Sequence, residues 1–93
     1  MAVGLLILEL HVPDAQSLKD KRQVLRSLKD RLREKYNVAV AELDHEDVWQ
    51  RSTVGVVTVS NEEHHVEESL QHVLAEADRV LGPILISHSV ELL

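Results

Sequence analysis

The sequence has 93 residues and a formal net charge of −6, with ten basic and sixteen acidic residues and no cysteine. This length suits a single domain, residues 1–93, with one hydrophobic core. The lack of cysteine excludes disulfides, thiolate metal sites and a cysteine nucleophile, and it fits a reducing cytoplasm. No apolar run approaches the roughly 20 residues that cross a bilayer. We therefore expect a soluble, cytoplasmic protein with no membrane partner.

The first predicted element is a strand over residues 3–12. One face carries Leu6, Leu8, Leu10 and Val12. The other face carries Val3, Leu5, Ile7, Glu9 and His11. A strand that is apolar on both faces is expected in the centre of a sheet.

A long helix is predicted next, from Ser17 to about Tyr36. Ser17 and Asp20 have the spacing of a capping box, in which short polar side chains bond the free N–H groups of a helix start. At 100° per residue the apolar side chains fall within about 80° and form the core stripe. The stripe consists of Leu18, Leu25, Leu28, Leu32 and Tyr36.

Two β-rich runs follow, residues 37–43 and 51–59, with a polar loop at residues 44–47 between them. This pattern predicts a hairpin with a long loop. Trp49 stands beside the loop, and we interpret it as an anchor in the core or in an interface rather than as a platform for base stacking.

A second helix is predicted from Ser60, which stands three residues before Glu63, to Leu81. It should end there because Gly82 suits a helix C-terminus and Pro83 cannot continue a helix. Its apolar stripe consists of Val66, Leu70, Val73, Leu74, Ala77 and Leu81. The last strand, residues 84–93, should carry on one face Ile84, Ile86, His88, Val90 and Leu92.

The order βαββαβ predicts an α+β fold, the ferredoxin-like sandwich, with a four-stranded antiparallel sheet and two helices on one face. The other face would then expose Val3, Leu5 and Ile7. This is more apolar area than suits a monomer, so we expect a homodimer that contacts through these three residues.

Four separated motifs resemble the bacterial YlxP-like family: SLKDKR at 17–22, NVAVAE at 37–42, DH at 44–45 with WQR at 49–51, and VSN at 59–61 with HVEE at 65–68. The family is catalogued as a domain of unknown function. The resemblance implies a ferredoxin-like fold and supplies no catalytic residues. Genes of this family commonly lie beside genes for ribosome maturation and translation initiation, which favours an RNA-related role.

Eight of the ten Lys and Arg residues lie between Lys19 and Lys35. Five of them repeat at helical spacing within an arc of about 80°, and we call them the basic ridge: Lys19, Arg22, Arg26, Lys29 and Arg33. At 1.5 Å per residue the ridge is about 20 Å long, and a phosphate backbone could follow it. The alternative interpretation is that the ridge only neutralises the acidic second helix.

Other kinds of site are weakly supported. No aromatic residue stands on the predicted central strands, so neither base recognition on the sheet nor DNA sequence readout is expected. Histidines near acids, at 44–47 and on the second helix, offer too few ligands, and we predict no metal and no cofactor. Glu9 and His11, with Glu42 and less certainly His88, could share a sheet face and transfer protons, but no nucleophile or oxyanion hole accompanies them.

The sequence therefore predicts a non-enzymatic accessory domain without catalytic residues. We expect it to be a homodimer and to contact RNA or a ribosomal particle through the basic ridge. The alternative is a protein-interaction or assembly module in which the ridge binds an acidic protein and nucleic acid plays no part.

Overall fold

Four strands form one antiparallel sheet in the order β2-β3-β1-β4. The structure is a computed structural model that describes all residues, 1–93. Its elements are β1 (Ala2–His11), α1 (Leu18–Lys35), β2 (Ala39–Asp44), β3 (Arg51–Ser60), α2 (Glu63–Leu81), a 3-10 turn (Gly82–Ile84) and β4 (Leu85–Leu92). This topology is the predicted ferredoxin-like sandwich.

The core lies between one face of the sheet and both helices. Leu6, Leu8 and Leu10 of β1 are fully buried there and belong to one cluster with the buried leucines of α1 and α2. Burial of a leucine side chain contributes roughly 1.5 to 3 kcal/mol, so this cluster is the main source of stability. α2 crosses β1 so closely that a Cβ at Gly4 would collide with the side chain of Val66.

The start of α1 is confirmed. Ser17 is the N-cap, and its Oγ accepts a hydrogen bond from the Asp20 N–H at 3.1 Å. The Asp20 carboxylate in turn accepts one from the Gln16 N–H at 3.0 Å. The helix ends at Lys35, one residue before the expected end.

The predicted start of α2 is wrong and its end is confirmed. The helix begins at Glu63, and the Oγ of Ser60 accepts a hydrogen bond from the Glu62 N–H at 3.2 Å, within the turn that precedes the helix. A hydroxyl that bonds two residues ahead competes with the capping geometry. The helix ends at Leu81, and Gly82 follows with a φ of 56°, a conformation that glycine adopts readily.

Strand pairing decides which residues occupy the open face, the sheet face without helices. Leu5 lies opposite Val57 of β3 and Glu91 of β4. Val3 and Ile7 share the face of Leu5, since side chains alternate along a strand, and all three are half-buried in the single chain. That they contact a second copy stays a prediction.

Candidate nucleic-acid interface

The basic ridge lies on the flank of α1 that faces β2, the edge strand. A groove of about 480 Å³ runs between the helix and this strand. Its lining residues are Arg22, Leu25, Arg26, Lys29, Asp30, Arg33 and Glu42. The structure thus brings four ridge residues together around one groove, while Lys19, in the first turn of the helix, is exposed outside it.

The ridge side chains have no internal anionic partner. None of the salt bridges in the structure includes any of the five. Their one hydrogen bond runs from Arg33 Nη2 to the backbone carbonyl of Val40, at 3.0 Å. An incoming anion would therefore meet these charges without having to displace a carboxylate of the chain.

The acidic charge that α2 buries is neutralised by other residues. The Glu76 side chain is 1 % exposed and lies 3.0 Å from Lys35, 3.1 Å from Arg79 and 3.5 Å from Arg31. Arg31 and Lys35 project from the opposite side of the leucine stripe to the ridge. None of the five ridge residues forms a salt bridge with α2, so direct pairing with that helix does not explain the ridge.

Glu76 stays ionised because of these partners. The hydrogen bond from Lys35 lowers the pKa of Glu76, burial acts in the opposite direction, and the charges of Arg79, Lys35 and Arg31 lower it further. The net result is a pKa below the ordinary value of 4.5. The contact between the two helices is thus an ion pair at neutral pH.

Lys21 is the important residue that the sequence prediction missed. Its side chain is fully buried, and its Nζ lies 2.9 Å from Glu42 Oε2. The same Nζ donates to the backbone carbonyls of His45, at 2.6 Å, and Arg51, at 3.3 Å. Glu42 also accepts a hydrogen bond from Ser52 Oγ at 2.6 Å. The buried charge is therefore paired and its donors are used, as a buried lysine requires.

The Lys21–Glu42 pair affects both the shape and the charge of the groove. It ties α1 to β2 and to the base of the hairpin loop. Glu42, whose side chain is 14 % exposed, lines the groove, but Lys21 already compensates its charge. The sequence did contain a signal for Lys21, because it precedes Leu25 by four residues and Leu28 by seven, which places it on the core stripe.

The hairpin loop presents Trp49 to solvent. The side chain is 51 % exposed, so Trp49 is not an anchor in the core, and its role as an anchor in an interface stays a prediction. The loop is nevertheless held at its ends, by Lys21 and by Gln50, whose Nε2 donates to the Pro13 carbonyl at 3.1 Å. Trp49 precedes β3 rather than standing on it, so the sheet offers no aromatic platform to bases.

The proton-transfer cluster that the sequence allowed does not form. Of its four residues, two share the open face: Glu9 and His11. Glu9 lies opposite Thr53 and accepts a hydrogen bond from that hydroxyl. Glu42 lies on the helix side, where it binds α1. His88 lies opposite Leu8 and so also faces the helix side. The sheet separates the two pairs.

Metal-ligating side chains occur only in pairs. No group of three or more His, Asp or Glu side chains lies close enough together to hold a metal ion. His45 lies 3.9 Å from Asp44, and His64 lies 3.4 Å from Glu68.

Neither helix combines the length and the apolar composition that crossing a membrane would require.

A second cleft, of about 520 Å³, lies where the loop after β1 meets the end of α2. Val24 and Leu81 supply apolar wall, while His11 and Asp14 supply polar groups. No Lys or Arg lines this cleft. It is therefore unsuited to a polyanion, and the groove beside the ridge is the better candidate.

Two solved structures resemble the chain. The C-terminal segment of the alpha subunit of aIF2 from Pyrococcus abyssi matches with a TM-score of 0.50 and 17 % identity, over 100 % of this chain. The chain spans about half the length, 49 %, of that protein. A dimeric ferredoxin-like protein of unknown function from Thermobifida fusca matches with a TM-score of 0.44 and 14 % identity, over 98 % of this chain and 90 % of that one.

Sequence comparison identifies the family. A family model described as "Protein of unknown function (DUF503)" matches residues 3–87. The uncharacterized protein YlxP of Bacillus subtilis (strain 168) is 40 % identical over 76 residues, which are 82 % of this chain and 83 % of that protein. Both matches extend over most of the chain, and the family model covers the motifs that carry the resemblance. The chain therefore belongs to this YlxP-like family, to which no catalytic activity is assigned.

Proposed function

We propose that the chain is a non-enzymatic accessory domain that binds RNA, alone or in a ribonucleoprotein such as a ribosomal particle, through the basic ridge and its groove. The observation that carries the proposal is the state of the charges on α1. Lys21, Arg31 and Lys35 are each paired with a carboxylate of the chain. The five ridge residues are not. A basic surface without an internal partner on an acidic protein is suited to an external polyanion.

The groove suits a phosphate backbone rather than a base. The four basic residues that line it are spread over about three turns of α1, so successive phosphates can meet successive side chains. Contacts of this kind position a nucleic acid and carry no sequence information. Binding should therefore be tolerant of RNA sequence and strongly dependent on salt.

The start of α1 does not add to the proposed site, although the free N–H groups of a helix N-terminus often bind phosphate. In the structure the N–H of Asp20 already bonds Ser17, and the Asp20 carboxylate occupies the same turn. A carboxylate there would repel a phosphate, so we assign binding to the ridge alone.

Binding of a labelled single-stranded RNA, followed by fluorescence anisotropy, tests the proposal. Replacement of Arg22 and Arg26 together by Glu should abolish binding. Both side chains are exposed and unpaired, so the Tm should stay within a few degrees of the parent. If the folded double variant binds RNA as tightly as the parent, the ridge is not the RNA site.

The same variant tests the protein-interaction alternative. If the parent protein does not bind RNA but binds poly-glutamate, and the double variant binds neither, the result favours an acidic protein partner. If the folded parent binds neither RNA nor poly-glutamate, the ridge is not a polyanion site and the proposal is overturned.

A further inference from the structure

We propose that β4 pairs edge to edge with the β4 of a second copy of the chain, which would join two four-stranded sheets into one sheet of eight strands. The two edges of the sheet, β2 and β4, differ in how well they are protected against the addition of another strand. An unpaired edge strand exposes a row of N–H and C=O groups, and proteins usually protect it by charges, prolines, bulges or a covering element.

The β2 edge is protected. The strand has six residues and its register shifts between Glu42 and Asp44. α1 covers its helix side, and Arg33 Nη2 donates a hydrogen bond to the backbone carbonyl of Val40. These features are the ones that prevent another strand from adding to an edge.

The β4 edge lacks most of this protection. The strand has eight residues, of which all but the first are exposed, and it contains no Lys, Arg or Pro. Its acidic residue is Glu91. Its one irregularity is a register shift near Leu85, so residues 87–92 remain regular. Ile86 is 53 % exposed and Val90 is 38 % exposed. This edge therefore offers both apolar side chains and a straight backbone.

The hydrogen-bond pattern shows which backbone groups are free. The Leu93 N–H donates to the Val3 carbonyl at 2.8 Å, so Leu93 belongs to a hydrogen-bonded pair with β1. In an antiparallel ladder such pairs alternate with pairs whose backbone groups point away from each other. The residues of β4 that direct both N–H and C=O away from β1 are therefore His88, Val90 and Leu92. The N–H and C=O groups of these three residues take part in none of the backbone hydrogen bonds that lie outside the helices and strands.

A second copy fits this edge because antiparallel pairing about a two-fold axis is self-complementary. In the register centred on Val90, each Val90 lies opposite the other Val90, and each His88 lies opposite a Leu92 of the second copy. Glu91 then lies opposite a Ser89 of the second copy, so no like charges lie directly opposite each other across the edge. A nearly uncharged edge is the place where two chains of net charge −6 can approach.

The helix side of this edge also has room for a neighbour. A groove of about 360 Å³ lies between α2 and β4, and its walls combine apolar Leu74 and Leu85 with polar Asp78 and His88. Leu74 is half-buried in the single chain. Side chains of a second β4 that face the helix side would lie beside this groove. The interface would therefore bury apolar surface in addition to forming backbone hydrogen bonds.

This surface competes with the open face, where the sequence predicted a dimer contact through Val3, Leu5 and Ile7. Sedimentation equilibrium at tens of micromolar separates the two. The parent should have about twice the chain mass of 10.5 kDa. Val90→Pro removes an N–H that points away from β1 and should give the monomer mass, whereas Leu5→Glu should remain dimeric. Val90→Lys, which puts like charges together at the centre of the pairing, should also be monomeric and guards against misfolding of the proline variant.

The conservative variant Val90→Thr retains β-branching and the N–H and should stay dimeric. A parent that sediments as a monomer would overturn the proposal. Persistence of the dimer in folded Val90→Lys would also overturn it. If the dimer is lost in Leu5→Glu but kept in Val90→Lys, the contact lies on the open face instead. The result is independent of RNA binding, because the ridge lies beside β2 at the opposite edge of the sheet.

Discussion

The two flanks of α1 carry the same kinds of side chain and have opposite environments. On one flank Arg31 and Lys35 reach Glu76 of α2, a carboxylate that is 1 % exposed. On the other flank four residues of the basic ridge line a groove, and none of the five ridge residues makes a salt bridge. The first flank contributes to the packing of the two helices. The second leaves its positive charge available to an external partner.

The charge of a segment therefore does not determine the role of its residues. The eight basic residues between Lys19 and Lys35 form one group in the sequence. In the fold they divide into three sets: the buried Lys21, which binds Glu42; Arg31 and Lys35, which bind Glu76 of α2; and the ridge, which binds no carboxylate. A residue without a partner in its own chain adds little stability. Variants of each set should therefore affect different measurements.

The largest expected effect on stability belongs to the buried lysine. Lys21→Met leaves the Glu42 carboxylate without its cation in a largely buried site, which should cost about 3 to 5 kcal/mol. Urea denaturation followed by Trp49 fluorescence measures this change. The double variant Lys21→Met with Glu42→Gln should recover part of the loss, since no unpaired charge remains. If Lys21→Met alone lowers the free energy of unfolding by less than about 1 kcal/mol, the Lys21–Glu42 pair is not the link between helix and hairpin.

The second effect is a loss of RNA affinity without a loss of stability. Arg22→Gln with Arg26→Gln removes two phosphate contacts, and we expect RNA affinity to fall by roughly tenfold or more at low salt. The Tm should hardly change because these side chains are exposed and unpaired. A fall in Tm comparable to that of Lys21→Met would show that the ridge has a structural role that the groove geometry does not reveal.

The matched control lies on the other flank of the same helix. Arg31→Gln with Lys35→Gln changes the net charge by the same two units and removes two partners of Glu76. The Tm should fall by a few degrees, whereas RNA affinity of the folded protein should stay within about threefold of the parent, since long-range charge effects are screened by salt. Equal loss of affinity in both double variants would mean that net charge, rather than the ridge, attracts RNA.

The smallest effect is the pH dependence of the interhelix pair. The pKa of Glu76 is lower in the folded protein than its ordinary value of 4.5, so the unfolded chain takes up its proton first as pH falls. The contribution of the pair is therefore present above the ordinary value and is lost as pH falls through the folded pKa. The Tm of Glu76→Gln should be below that of the parent at pH 7, and the difference should shrink toward pH 3. A difference that does not vary with pH would contradict the ion pair.

The sequence predicted the fold well because local signals agreed with one another. The alternation of β1, the Ser17 cap and the Gly82-Pro83 stop each indicated an element that the structure contains. The predicted start of α2 was wrong because the Ser60 hydroxyl can either cap a helix or bond within a turn, and the sequence does not show which bond is the more stable.

The candidate site was only partly predictable. Helical spacing placed the ridge on one flank, but whether its charges are compensated depends on α2 and β2, which are distant in the sequence. Lys21 and Glu42 are 21 positions apart, and their pairing depends on the packing of α1 against the hairpin. The sequence allowed Glu42 to lie on the open face because it does not determine the register of β2. Its bond to Lys21 places it on the helix side.

The salt dependence of RNA binding tests the central claim most directly. For the parent, a plot of the logarithm of the association constant against the logarithm of salt concentration should have a slope of about −3.5 to −4.5, if all five ridge side chains meet phosphates at roughly 0.7 to 0.9 per contact. The slope should become about 1.4 to 1.8 less negative in Arg22→Gln with Arg26→Gln. It should stay unchanged in Arg31→Gln with Lys35→Gln. A slope near zero in the parent, or equal slopes in the parent and both variants, would contradict the account.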